Sequence, residues 1–329
     1  MKIIIATPFL PPSTAVLATY AESLRAAFDR EGHEVTVLSM SEFKHLPPGI
    51  RHGVYFFKMF SLVRGASFVL TLDTWSVGMP TFCAARLQGV PLLARIGGDF
   101  LWESYVERTK QPIRLSEFYA RSLPLTLKER SIRVGTGMLV RHATLLFNSR
   151  FQRDLWQRVY GFTPQRARII ENFFPARRVN DTPQNRIFVS AGRHIALKKY
   201  DALERAFVRV KEKYPKVELD TRLLPRTEHL DRVQNSYAVI IPSVSEVSSN
   251  TAIDAVAAGK PFIMTEDTGT SERLGDCGLF IDTRSEDALV AAIEKILNPS
   301  DYEYLRARIS EFSFTHSWDD IAREILTAV

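Results

Sequence analysis

The chain has 329 residues, of which 45% are hydrophobic and 24% charged, the profile of a soluble globular protein of about two domains. Its two cysteines, Cys83 and Cys277, are too few and too far apart for a disulfide framework or a cysteine metal site, which makes a reducing, cytoplasmic setting the expectation. The formal net charge of +6 is unevenly divided: residues 1–180 hold 24 Lys+Arg and 13 Asp+Glu (+11), residues 181–329 hold 19 and 24 (−5).

The chain opens with KIIIATP, whose apolar run is short and ended by Pro8, Pro11 and Pro12. It reads as a buried strand rather than a signal peptide, and no run of 18 apolar residues predicts a transmembrane helix. AVLATYAESLRAAFDREG then has the spacing of an amphipathic helix ending at Gly32, and HEVTVLSM is the next strand. SFVLTLD, VPLLARI and ATLLFNS follow as strands, VGMPTFCAARLQG and RFQRDLWQRVYG as helices, and ARIIEN closes this half. The polar, proline-bearing segment 175–186 reads as a linker. Beyond it IFVSAG, YAVIIPS, KPFIMTE and GLFID are strands. KYDALERAFVRVKEKYP, NTAIDAVAAG, SEDALVAAIEKIL and the whole tail from Tyr302 onward are helical. Such alternation predicts parallel sheets with crossover helices, here two doubly wound α/β domains in tandem. Ligands of these sheets bind beyond the carboxyl ends of the strands, so the loops there are the candidate sites.

Two loops carry chemistry. In SAGRHIALKKYDAL a strand runs into Gly192, Arg193 and Lys198 before a helix. Glycine permits close backbone approach, and a guanidinium fork beside a lysine point charge suits a diphosphate. A solvated basic loop has the same composition. In SEVSSNTAIDAVAAGKP, Glu246 and Asp254 flank Ser248, Ser249, Asn250 and Thr251 at a helix start. The unpaired N–H groups and the helix dipole there favour an anion. Thr251 with Asp254 three residues on also has the form of a capping box, with Gly259 as C-terminal cap and Pro261 as the stop.

Together these stretches resemble family-4 retaining glycosyltransferases, glycosyltransferase group 1. VIIPSVSEVSSNTAIDAVAAGKP is similar to that family's Glu-x7-Glu segment, and SAGRHIALKKYDAL to its Gly-Arg…Lys-Gly-x-Asp-Leu segment. MKIIIATPFLPPS…REGHEVTVLS, LLFNSRFQRDLWQRVYGFTPQRARIIENFF and FSFTHSWDDIARE resemble its first strands, mid-chain stretch and last helix. The resemblance implies the GT-B architecture: two Rossmann-like doubly wound domains facing across a cleft, with the C-terminal helix crossing back to the first domain. Residues 1–178 would bind the acceptor, 179–311 the nucleotide-sugar donor, and 312–329 would form the returning helix.

By position, Arg193 and Lys198 would bind the donor diphosphate with Gly192 beside them, and Glu246 would lie near the donor sugar or its phosphate. The backbone of Ser248, Ser249, Asn250 and Thr251 would cradle phosphate, and Asp254 would hold the ribose hydroxyls in place of the second glutamate. The family needs no metal, and no Asp-x-Asp pair occurs in the chain; no cofactor beyond the nucleotide sugar is expected. Where the family has a glycine pair after the first strand, Ser13, Thr14 and Ala15 stand. Where many members carry a mid-domain histidine, this chain reads RIGGDFLWE. Gly97 and Gly98 would permit tight approach and Asp99 would point into the cleft as an acceptor contact or base, unless it serves as a helix cap. Between KYPKVELDTRLLPR and TEHLDRVQNSYAVIIPS the family's extra strand and helix, near which it grips the base, are missing.

The implied reaction moves a sugar to a glycan or lipid-linked acceptor with retention. A catalytically impaired GT-B binding or scaffold protein and a sugar-nucleotide epimerase are alternatives on the same architecture. A nicotinamide-dependent oxidoreductase is disfavoured because the first turn has no glycine. The basic region with Arg108, Lys110, Arg114, Arg121, Lys128, Arg130, Arg133 and Arg141 comes with no nucleic-acid module. An anionic membrane surface is the expected partner there, and nucleic acid is not.

Overall fold

The computed structural model describes the chain except residues 12, 14, 15, 179–182, 184 and 191 and the side chain of Pro48. The expected contact Thr14 and part of the expected linker therefore lie outside the described residues. The chain forms two compact units: Met1–Leu101 with Pro124–Phe173 and His316–Val329, and Trp102–Leu123 with Phe174–Thr315.

In chain order, the path to the end of the first sheet runs β1 (Lys2–Thr7), α1 (Val16–Arg30), β2 (Glu34–Ser39), α2 (Pro48–Leu62), β3 (Phe68–Thr71), α3 (Gly78–Gln88), β4 (Leu92–Ile96), α4 (Phe100–Thr109), α5 (Leu115–Phe118), α6 (Leu127–His142), β5 (Thr144–Phe147), α7 (Arg150–Tyr160) and β6 (Ala167–Ile169). The six strands are parallel in the order β2-β1-β3-β4-β5-β6. The second sheet follows with β7 (Ile187–Val189), α8 (Tyr200–Lys213), β8 (Glu218–Asp220), α9 (Arg226–Asn235), β9 (Ala238–Ile241), α10 (Asn250–Ala257), β10 (Phe262–Thr265), α11 (Ser271–Leu274), β11 (Gly278–Ile281), α12 (Glu286–Leu297) and α13 (Pro299–Glu311). Its strands are parallel in the order β11-β10-β9-β7-β8. The last helix, α14 (Trp318–Leu326), belongs to the first unit.

Strands covered by helices on both faces bury continuous apolar runs, as in IIIA of β1 and AVII of β9. Alternate residues serve opposite faces. In the second unit Phe188 and Ile240 pack with Leu203 and Phe207 of α8 and Leu289 and Ile293 of α12. Val189, Val239 and Ile241 pack with Ile253 and Val256 of α10 on the other face. In the first, Ile3, Ile5 and Leu70 pack with Leu24 and Phe28 of α1 and with Ile321 and Ile325 of α14. Trp318 anchors α14 by an edge contact with Tyr20 at 5.0 Å and a stack on Phe173 at 5.2 Å.

Each strand order reverses once, between β1 and β3 and between β7 and β9. The crevice at the carboxyl ends beside such a switch point is where ligands of these sheets bind.

The structure departs from the sequence-based expectation in three places. First, α2, α4, α5, α6, α11, β8 and α9 were not foreseen. The last two are a three-residue edge strand and a polar helix that buries only His229 and Val233. Second, the tail is two helices rather than one. Ser317 starts α14 with a capping box, its hydroxyl accepting from Asp320 N–H at 3.1 Å while Asp320 Oδ2 accepts from Ser317 N–H at 2.9 Å. Third, Trp102–Leu123 belongs to the second unit, although residues 1–178 were expected to form one domain. Its contacts explain this. Leu115 N–H donates to Ser245 Oγ at 2.8 Å, Arg114 pairs with Glu266 at 2.7 Å, and Glu117 with Arg284 at 3.0 Å.

Candidate active site

At the switch point of the second unit, the loops after β7 and β9 are laid side by side. Lys198 and Ser243 form an antiparallel bridge, Val244 N–H donates to Leu197 O at 2.9 Å, and Lys199 N–H to Pro242 O at 3.2 Å. This places Lys198 Nζ in a short ion pair with Glu246 Oε1. The same oxygen accepts from Ser243 Oγ at 2.6 Å. The two side chains are 24% and 17% exposed, so the pair remains open on one side. The backbone of Glu246 is held as well: its N–H donates to Asp267 O at 3.1 Å, and its carbonyl accepts from Gly269 N–H at 3.3 Å.

Gly192 lies close to this cluster: a Cβ there would stand 3.1 Å from Tyr200 Oη, a contact the phenol would have to yield to. Tyr200 Oη donates to the Gly192 carbonyl at 3.4 Å and its ring stacks on His194 at 4.4 Å, shaping the turn. Burial raises the Tyr200 pKa, keeping the phenol protonated. Arg193 is exposed beside this turn.

α10 starts at Asn250, but its cap is Ser249, whose Oγ accepts from Ala252 N–H at 3.3 Å. The expected capping box of Thr251 with Asp254 is thus replaced. Ser249 N–H is itself spent on Thr270 Oγ1 at 2.9 Å. The N–H groups of Asn250 and Thr251 belong to the first turn, where the helix offers no acceptor. Gly259 follows α10 with φ +68°, the left-handed conformation a helix-ending glycine supplies.

Asp254 does not present an open carboxylate. It is 3% exposed, and both its oxygens face the guanidinium of Arg226: Oδ1 accepts from Nη2 at 2.6 Å, and Oδ2 forms a short bond with Nη1. His229 Nε2 lies 3.6 Å from Oδ2. Burial would raise the Asp254 pKa, but His229 and Arg226 outweigh it and hold the carboxyl below its ordinary value. The expected ribose ligand is therefore engaged within the unit, by residues of α9 that the sequence reading did not single out. The one available signal was Arg226 and His229 spaced i, i+3 in an otherwise featureless polar stretch.

In the first unit, Gly97 approaches Asn148 closely, since a Cβ there would stand 3.2 Å from Nδ2. Gly98 O accepts from Gln152 Nε2 at 2.7 Å. Asp99, expected to point into a cleft, is 1% exposed and accepts from the Trp156 indole N–H at 2.9 Å. It points at α7, where a large buried donor satisfies it. Ser13 is exposed, its N–H bonded to Leu10 O at 3.1 Å. The structure thus brings together Gly192, Lys198, Glu246 and the start of α10. It takes Asp254 and Asp99 into separate buried contacts. Among the described residues, no group of three or more His, Cys, Asp or Glu side chains is placed to hold a metal ion.

Comparison with known proteins agrees with this picture. Residues 197–299, which span Lys198, Glu246 and α10, match the family of glycosyl transferases group 1. The matched stretch lies within the second unit. No curated protein matches the chain in sequence. Among solved structures, the chain resembles sucrose-phosphate synthase from Thermosynechococcus elongatus with a TM-score of 0.71 at 14% identity, over 99% of this chain and 98% of that one. It resembles Anabaena HepE in complex with UDP-glucose with a TM-score of 0.69 at 13% identity, over 100% of both chains. A putative UDP-N-acetylglucosamine 2-epimerase from Listeria monocytogenes matches with a TM-score of 0.62 at 13% identity, over 99% and 95%. At these identities the likeness defines the fold, and that fold is GT-B.

Proposed function

We propose that this protein is a retaining glycosyltransferase that moves a sugar from a nucleotide-diphosphate donor to a glycan or lipid-linked acceptor. The observation that carries the reading is the Lys198–Glu246–Ser243 cluster at the switch point, beside the start of α10, inside the matched glycosyltransferase region. Lys198 and Arg193 offset the charge of the diphosphate, and the N–H groups of Asn250 and Thr251 receive its oxygens, so the phosphate is stabilised as it leaves without requiring a metal. Glu246, held by Ser243, faces the donor sugar. In the transfer the bond from the anomeric carbon to the phosphate oxygen breaks and its electron pair stays on the phosphate. The acceptor oxygen bonds to the same face of that carbon, and its proton passes to the departing phosphate. The first unit takes the acceptor.

A peripheral membrane position is part of this reading. α6 exposes Leu127, Val134 and Met138 at 81%, 63% and 45% among Lys128, Arg130, Arg133 and Arg141. Apolar and basic side chains interleaved on one surface suit an anionic lipid face and a lipid-linked acceptor.

Incubation with a panel of sugar nucleotides, with NMR of the released or transferred sugar, tests the activity. A product of retained anomeric configuration is expected, and an inverted product contradicts the mechanism. The second reading, a sugar-nucleotide epimerase, is favoured only by the likeness to the Listeria protein. An epimerised nucleotide sugar in the same spectra would establish it.

A further inference from the structure

We propose that Ser245 and Asp267 are positioning residues for Glu246, and that the segment Trp102–Leu123 completes their arrangement through the backbone N–H of Leu115. This rests on the glycosyltransferase reading and concerns how the carboxylate that faces the donor sugar is aimed.

Lys198 and Ser243 hold only the tip of Glu246. Its backbone is held by the loop after β10. Glu246 bridges Thr268 in parallel register, its N–H donating to Asp267 O at 3.1 Å and its carbonyl accepting from Gly269 N–H at 3.3 Å. These bonds fix the peptide groups on both sides of the Glu246 side chain as long as the two loops keep their register. Side chains tie the loops together. Thr265 Oγ1 donates to Val244 O at 3.0 Å, and Ser245 Oγ donates to Asp267 Oδ2 in a short bond.

The Ser245 hydroxyl has one proton, and its direction is settled. It accepts from Leu115 N–H at 2.8 Å, and a carboxylate can only accept, so the proton goes to Asp267. Ser116 N–H faces the same Asp267 oxygen at 3.4 Å. The relay therefore runs from Leu115 N–H through the Ser245 hydroxyl to the Asp267 carboxylate. Ser245 and Asp267 are 5% and 8% exposed. The contacts of Asp267 Oδ2 are a hydroxyl and a backbone N–H rather than a cation. A buried carboxylate held by neutral donors is a poor source of stability. It is a good source of geometry, because a short O–H···O⁻ bond is strong and directional.

The head of the relay comes from far along the chain, since Leu115 lies 130 residues before Ser245. Arg114 secures it by pairing with Glu266 at 2.7 Å and Asp282 at 3.2 Å, and Glu117 by pairing with Arg284 at 3.0 Å. Glu266 adjoins Asp267, so the segment grips this loop by charge as well as by backbone. A misplacement of about 1 Å in a reacting group can cost about 10²-fold in rate. Loss of the relay loosens the backbone of Glu246 but leaves Lys198 and the start of α10 in place. Turnover should therefore fall while donor binding persists.

Steady-state release of nucleoside diphosphate from the sugar nucleotide that turns over in the panel above tests this. Ser245→Ala or Asp267→Ala should lower kcat about tenfold and leave the donor KM within about twofold. Asp267→Asn keeps an accepting oxygen and should stay within about threefold of the native rate. In a Glu246→Gln background, Ser245→Ala should cost less than about twofold, because a residue that acts through Glu246 then has nothing left to aim. Two variants of Leu115 separate side chain from N–H. Proline suits the first position of α5, which follows Arg114 at ψ 149°. Only Leu115→Pro removes the donor, so it should be at least about threefold slower than Leu115→Ala. Circular dichroism checks each fold, and the Leu115 pair leaves both relay side chains in place should Asp267→Ala not fold. A tenfold loss that persists in the Glu246→Gln background, a raised KM with unchanged kcat, or equal rates for the Leu115 pair would each overturn the proposal alone. If no sugar nucleotide turns over, the glycosyltransferase reading beneath it fails as well.

Discussion

Two strand-to-helix corners of this molecule carry carboxylates, and they are used differently. After β9, Glu246 is 17% exposed and held by a lysine and a serine that leave it open on one side. After β4, Asp99 is 1% exposed and bonded to the indole of Trp156. Both loops leave the carboxyl end of a parallel strand, so topology alone does not decide which carboxylate is available. The partner decides. A flexible lysine amine can exchange one partner for another, whereas a packed tryptophan cannot leave its place. Asp254 follows the second pattern although it sits only eight residues from Glu246, because α9 covers it with Arg226 and His229.

The largest expected effect sharpens this contrast. Glu246→Gln or Lys198→Ala should lower the transfer rate by about 10²–10³-fold, as for loss of one aimed electrostatic group. Asp99→Asn should leave it within about fivefold, because the group is not presented to substrate. Steady-state rates with one donor measure both, and comparable losses would erase the distinction.

Next in size is the buried pair. Arg226→Ala should destabilise the protein by about 2–3 kcal/mol by stranding a buried carboxylate, and Arg226→Ala/Asp254→Asn should recover most of that. Trp156→Phe should cost about 1–2 kcal/mol by removing a donor from the buried Asp99. Urea unfolding gives all three values, and an Arg226→Ala protein of native stability would show that Asp254 does not depend on its partner.

A smaller effect appears in acid. The Arg284 guanidinium beside Asp282, despite partial burial, holds that carboxyl down to about 2. A folded pKa below the unfolded value of about 4 contributes stability that is complete above about pH 4 and lost as pH falls toward 2. Asp254, also depressed, has the same sign. The decline in stability between pH 4 and 2 should be shallower in Arg284→Ala than in the native protein, as followed by thermal unfolding across that range. The smallest effect concerns α6. Leu127→Asp/Val134→Asp should reduce sedimentation with anionic liposomes at low salt severalfold, without changing nucleotide binding. Unchanged sedimentation would remove the membrane face.

Much of this was readable in the residues. Strands such as IIIA and AVII are continuous apolar runs, and helices such as α1 and α8 carry a clear apolar stripe, so local pattern reports their burial directly. Gly192, Lys198 and Glu246 were readable because a strand, a glycine and charged residues follow one another closely in sequence. α9 was not, because its RTEHLDRVQN has two buried residues and no apolar stripe, and its stability comes from what it packs against. The break before α14 was hidden too, since Ser317 and Asp320 cap a helix only once the chain has turned there.

The sequence by itself determined two parallel α/β sheets, the loops that carry Lys198 and Glu246 and the helix start at Asn250, because each depends on neighbours a few residues away. Only the tertiary structure decided which carboxylates stay open. Availability depends on residues far apart in the chain: Trp156 lies 57 residues from Asp99, and Arg226 lies 28 from Asp254. Burial and pairing between such residues arise from packing, and packing leaves no periodic mark in the sequence.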